Sequence, residues 1–140
     1  LEFFHNDYPQ DVLKANWDYY CPRTEHGSSL SACMYALLAC RCGDAASAYP
    51  FFLKSAKADW DGGGKQWAGL VYIGGTHPAA AGGAWKVLAQ GFAGLEVTED
   101  GAKVNPCLPK GWERVSFRFC VKGKWYRAEL TQEKGEITTL

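Results

Sequence analysis

At 140 residues, with 47% hydrophobic and 14% aromatic side chains, the chain holds one domain's worth of material and enough apolar surface to bury a core. Its 15 Lys plus Arg balance 15 Asp plus Glu, and no basic cluster interrupts that balance, which argues against nucleic acid as a partner. No apolar run approaches the roughly 20 residues that span a bilayer, so no membrane association is expected.

The first half reads as helical. Pro9-Gln10-Asp11 opens a short helix carrying Val12, Leu13, Asn16 and Trp17. The polar stretch PRTEHGSS then gives way to a second helix, from about Ser29 to Arg41. Leu30, Cys33, Met34, Leu37 and Leu38 recur on it at helical spacing, and Gly43 is its C-terminal cap. A third helix spans about Ala45 to Ala58 with Ala48, Phe51, Phe52, Ser55 and Ala56 inward; Pro50 is expected to kink it or shorten its first turn. DWDGGGKQWAGLVYIGGT, residues 59–76, reads as a long glycine-rich loop, a kind of connection that often carries function. A fourth helix opens at Pro78 and runs through Trp85, Leu88, Ala89 and Phe92 to Gly94, with Gly82-Gly83 allowing close approach of a neighbour.

Beyond Gly94 the period changes to two. Leu95 to Val104 reads as a hairpin closed around Asp100-Gly101, and NPCLPKGWE as an irregular arm. Val115, Phe117, Phe119 and Val121 alternate with Ser116, Arg118 and Cys120 in a half-buried strand. Lys122-Gly123 turns it into Trp125–Thr131, and Glu133–Gly135 turns that into Glu136–Leu140. Helices followed by a segregated antiparallel sheet make α+β, with a helical part over 1–94 and a small sheet domain over 95–140.

Six cysteines stand at Cys21, Cys33, Cys40, Cys42, Cys107 and Cys120. Cys33 and Cys40 share one buried helix stripe, and Cys40-Arg-Cys42 lacks the two-residue gap of metal-binding pairs, so no zinc site is expected. A chain this apolar needs no disulfide staples, which points to reduced thiols and a cytoplasmic location. LEFFHNDYPQ has no basic segment before an apolar one, so no signal peptide is expected, and a start without Met suggests a truncated or processed product.

Two helix starts carry the candidate chemistry. A helix N-terminus offers unsatisfied N–H groups and roughly half a positive charge, which together attract anions. At Glu25-His26-Gly27-Ser28-Ser29, one serine is the expected N-cap while the other is left to donate outward; taken alone, the stretch reads as a capped helix without a ligand sooner than as an anion site. In Thr76-His77-Pro78 the proline belongs at the first helical position, which makes His77 the N-cap. Lys65, Gln66 and Trp67 form a candidate sugar platform or an ordinary loop tip, and Asp59 and Asp61 read as turn residues. His5 reads as a solvated residue near the terminus.

ANWDYYCPRTEHGSSLS, HPAAAGGAWKVLAQGFAGL and VNPCLPKGWERVSFRF, in that order, resemble the C-terminal portion of glycoside hydrolase family 65, the maltose, kojibiose, nigerose and trehalose phosphorylases. The resemblance covers nearly the whole chain. It implies the final helices of an (α/α)6 barrel followed by a C-terminal sheet. It also implies inverting phosphorolysis of an α-glucosidic bond to β-glucose 1-phosphate, with a disaccharide and inorganic phosphate as substrates and no cofactor. Carried over by position, phosphate would be held by Ser28, Ser29 and His77. The family's general acid, and the Lys-Gln pair that contacts its sugar, would lie upstream of residue 1, so these residues include no catalytic acid and need the rest of the barrel, in the same or another chain. Where the family has glycine-leucine directly before its histidine, this sequence inserts VYIGGT between Gly69-Leu70 and His77. Two alternatives remain: a non-catalytic sugar-binding or assembly module, suggested by Trp60, Trp67 and Trp125, and a trehalase-like hydrolase, which the paired serines disfavour.

Overall fold

Leu13 and Trp17 stand one helical turn apart, and burying that pair gives the first helix its inner face. The computed structural model describes residues 6–60, 66–68, 71–73 and 75–140, with side chains over 6–60 and 75–140. Helix α1 (Gln10–Tyr20) starts behind an extended Pro9 and ends in a 3-10 turn at Cys21–Arg23. Helix α2 (Ser31–Arg41) buries Ala32, Cys33, Ala36, Leu37, Ala39 and Cys40, a face of mostly small residues that lets other helices approach closely. Gly43, at φ 74, turns the chain out of α2 in the left-handed conformation that glycine adopts without strain.

Helix α3 (Ala45–Ala56) carries Pro50 inside it and differs from expectation at its end. It starts at Ala45, as expected, and the Asp44 side chain caps it by accepting from the Ser47 N–H at 2.9 Å. Its last two expected residues, Lys57 and Ala58, belong to the turn that follows. The segment read as a plain loop contains a short antiparallel hairpin, β1 (Gln66–Ala68) with β2 (Val71–Ile73), in which Trp67 pairs with Tyr72. Helix α4 (Pro78–Lys86) then runs on as a π-helical stretch, Val87–Phe92, with the Ala93 N–H reaching back five residues to the Leu88 carbonyl at 3.0 Å.

Gly94, at φ 59, makes the exit from this helix, and a Cβ there would sit 2.1 Å from the Asn105 carbonyl oxygen. The arm from Asn105 to Trp112 is thereby laid against the helix end, and the Cys107 N–H donates to the Phe92 carbonyl at 2.8 Å. Strands β3 (Glu96–Thr98) and β4 (Gly101–Lys103) pair antiparallel around Glu99-Asp100, one residue earlier than the Asp100-Gly101 turn expected. Strands β5 (Val115–Val121), β6 (Lys124–Leu130) and β7 (Gly135–Thr139) form a meander in sequence order. Lys122 and Gly123, both at positive φ, close β5 onto β6, the mirror-image turn that suits the twist of a hairpin. Phe117 is buried and Phe119 half-buried while Ser116, Arg118 and Cys120 face out, as the alternation predicts.

The fold is α+β, and helices and sheet share one core that runs from Trp17 and Leu37 through Phe92 to Ala128 and Leu130. Phe52, Phe92 and Trp112 meet edge-on where the two parts join, with ring centroids 5.3 to 5.9 Å apart.

Candidate functional site

The relation between α2 and α4 decides where the serines and His77 lie. Gly83 packs so closely on α2 that a Cβ there would be 2.5 Å from Cys33 Sγ, and Gly91 packs on Cys40 and Leu37 further along both elements. Contacts therefore advance in the same direction on the two helices, which run parallel. Their N-termini lie at one end of the helical layer, separated by the roughly 8–10 Å between packed helix axes. Counting back from Cys33 and Gly83, Ser28 and Pro78 stand equally far upstream. Of the expected pair of glycines only Gly83 serves this contact; a Cβ at Gly82 would meet nothing.

The end of α3 ties the two starts together. Lys54 Nζ donates to the His26 carbonyl at 2.7 Å, and Ser55, buried, donates to the Ala80 carbonyl at 2.9 Å. Just past the helix, the Asp59 carboxylate accepts from both the His77 backbone N–H, at 2.8 Å, and His77 Nδ1, at 2.6 Å. Lys54 and Asp59 are five residues apart, so the serine loop and the histidine are tethered to one short piece of chain. The His77 N–H and imidazole hold the Asp59 carboxyl below the usual carboxylate range.

At the serine loop the structure corrects the expected cap. The helix begins at Ser31 with Leu30 as N-cap, and neither serine folds back onto the first turn. Instead Ser28 Oγ accepts from the Leu30 N–H at 3.2 Å, a local turn that leaves its hydroxyl proton to donate elsewhere. Ser29 is half-buried, and among the described residues its hydroxyl has no recorded partner. The cause lies at His26, which sits at φ 54, a left-handed conformation that costs a non-glycine residue energy. Its ring holds that strain in place: Nδ1 lies 2.9 Å from Ser31 Oγ, and the ring contacts Tyr35 and Phe51 at 4.3 and 4.8 Å. Tyr35 in turn donates to Thr24 at 2.6 Å, whose own hydroxyl proton goes to the Tyr20 carbonyl at 2.9 Å. His26 is thus a wall of the helical core and shapes the loop from behind.

His77 is the N-cap of α4 with Pro78 at the first helical position, as the sequence predicts. Asp59, read as a turn residue, proves to be its partner; no local pattern links positions 18 residues apart. Lys65, His5 and Asp61 lie outside the described residues, as do the side chains of Gln66 and Trp67, whose backbone forms β1. Among the described residues no group of three or more His, Cys, Asp or Glu is placed to hold a metal ion, and no helix is long and apolar enough to cross a membrane. Clefts of about 560 and 590 Å³ lie at the far end of α2, around Gly43, Ala45, Leu108 and Gln132, and the serines and His77 line neither. Among the described residues, the helix starts bring two helix dipoles, the Lys54 ammonium and the Asp59-bound His77 to one end of the helical layer, groups suited to binding an anion.

Comparison with known proteins places the chain in a family. Residues 1–86 match the model of the glycosyl hydrolase family 65 central catalytic domain, and residues 95–140 match that of the family's C-terminal domain. The chain is 52% identical over its full length to the nigerose phosphorylase of Lachnoclostridium phytofermentans, and 35% identical over 96% of its length to the kojibiose phosphorylase of Caldanaerobacter subterraneus subsp. tengcongensis. It spans only 19% and 17% of the lengths of these relatives. A solved structure from the human microbiome, provisionally described as a kojibiose phosphorylase, superposes with a TM-score of 0.81 at 26% identity, over 99% of this chain and 18% of that one. The chain belongs to glycosyl hydrolase family 65.

Proposed function

We propose that these residues are the C-terminal part of an inverting disaccharide phosphorylase and supply the phosphate-binding half of its active site. The observation that carries this reading is the parallel packing of α2 and α4, which brings the Ser28-Ser29 turn and His77 to one end. In this reading the helices up to about Gly94 complete an (α/α)6 barrel, the sheet from Leu95 is a separate small domain, and the protein is cytoplasmic, where thiols such as Cys33 and Cys40 stay reduced as packing groups.

The chemistry assigned to the two helix starts is anion capture and orientation. A carboxylic acid from the remainder of the barrel protonates the leaving glycosidic oxygen, and a phosphate oxygen attacks the anomeric carbon from the opposite face. The C–O bond to the leaving sugar breaks as the C–O bond to phosphate forms, with inversion. Ser28 and Ser29 donate to phosphate oxygens, the helix dipoles and Lys54 offset its charge, and His77 fixes its far side. Lys65, Gln66 and Trp67, which precede His77 in the chain, are the candidates for sugar contact.

The test uses the complete polypeptide that contains these residues, incubated with inorganic phosphate and, separately, nigerose, kojibiose, maltose and trehalose. Phosphate-dependent release of β-glucose 1-phosphate from one of them is expected, and none from the 140 residues alone. Phosphate-independent release of glucose would favour a trehalase-like hydrolase. Exposed Trp60 and Trp125 suggest a sugar-binding module; saccharide binding by the complete polypeptide without turnover would favour that reading.

A further inference from the structure

The Asp59–His77 clamp carries a role beyond the phosphate ligands themselves, and it rests on the phosphorylase reading. We propose that Asp59 is the positioning residue for His77: its carboxylate fixes the imidazole's orientation and tautomer so that Nε2 is the nitrogen presented to phosphate.

Both Asp59 oxygens are committed to one residue, Oδ2 to the His77 backbone N–H at 2.8 Å and Oδ1 to Nδ1 at 2.6 Å. Fastening backbone and ring at once removes the imidazole's freedom to swing or flip. A carboxylate cannot donate, so the proton of this hydrogen bond resides on Nδ1, and the neutral ring leaves Nε2 as an acceptor. Among the described residues Nε2 has no recorded protein partner, and 22% of the His77 side chain remains accessible.

This arrangement matches the protonation chemistry of phosphate. The monoanion has a P–OH that donates to a neutral Nε2; the dianion accepts from a protonated Nε2. The two descriptions differ only in which side of the hydrogen bond holds one proton, so His77 so held serves either form. The opposite tautomer, with the proton on Nε2, could not accept from the monoanion. Asp59 touches no reacting atom and acts through His77 alone. Its place past α3, five residues from Lys54, also couples the histidine to the element that braces the serine loop.

Substitution D59N tests the assignment in the complete polypeptide. An amide has one acceptor oxygen for two N–H groups, and its NH2 would favour the wrong tautomer. The expected result is a rise of about tenfold or more in KM for phosphate, by analogy with the scale on which a carboxylate orienting a metal-ligating histidine acts. KM for the disaccharide should stay unchanged, D59E should restore part of the loss, and D59N should add nothing to H77A. A phosphate-dependent parent whose D59N variant keeps its phosphate KM, or loses sugar and phosphate affinity equally, overturns the assignment of Asp59. A parent indifferent to phosphate overturns the phosphorylase reading itself, and this role with it.

Discussion

The helix starts near Ser28-Ser29 and at His77 were legible in the sequence, because helix starts announce themselves through local residue types. What surrounds them was not. The serines were expected to cap α2, yet Leu30 holds that position because His26 takes up a left-handed backbone and shifts the start to Ser31. That strain is stabilised by Tyr35 and Phe51, contributed by two different helices, so no reading of the GSS stretch alone could reveal it. Lys54 and Asp59 escaped for the same reason: their partners lie 28 and 18 residues away in the chain. Lys54 yields a prediction of its own. Its ammonium braces the His26 carbonyl next to Gly27-Ser28 and adds a positive charge to the helix starts. Substitution K54M should raise KM for phosphate about tenfold, the worth of one charge-assisted hydrogen bond, with little change in KM for the disaccharide. Initial rates across a phosphate series check it, and an unchanged phosphate KM would remove Lys54 from the site.

Among the elements, periodicity located all four helices and the β5–β6–β7 meander, because each is encoded by neighbours three, four or two positions apart. The β1–β2 hairpin was missed since three-residue strands among glycines leave no alternation to detect. The parallel packing of α2 and α4 was only hinted at by Gly82-Gly83, and the two glycines separate sharply in the structure. A Cβ at Gly83 would lie 2.5 Å from Cys33 Sγ, whereas one at Gly82 meets nothing within 4 Å. Substitution G83A should therefore destabilise the protein by about 1–3 kcal/mol through overpacking, and push the helix starts apart. G82A should stabilise it by about 0.5–1 kcal/mol, as alanine replaces glycine inside a helix. Denaturant midpoints measured on both variants decide this; equal effects of the same sign would mean that the helices are not in contact at Gly83.

Over the whole molecule, the sequence separated helices from sheet but not the extent to which they share a core. Phe52 and Phe92 from the helical part close on Trp112 of the arm, and Gly94 lets the chain pass within contact of Asn105. Such packing joins residues far apart in sequence, and only the fold reveals it. Leu30, Trp60 and Trp85 are exposed on a chain that spans about a fifth of its relatives' lengths, as the proposed C-terminal part of a larger barrel requires. The proposed function turns on the two helix starts forming one phosphate site. A double-mutant cycle on the complete polypeptide tests that claim most directly, comparing KM for phosphate in S29A, H77A and the pair. One shared ligand predicts that each single substitution raises it about tenfold or more and that the double falls well short of the product. A phosphate KM that neither substitution moves, or two effects that multiply fully, would contradict it.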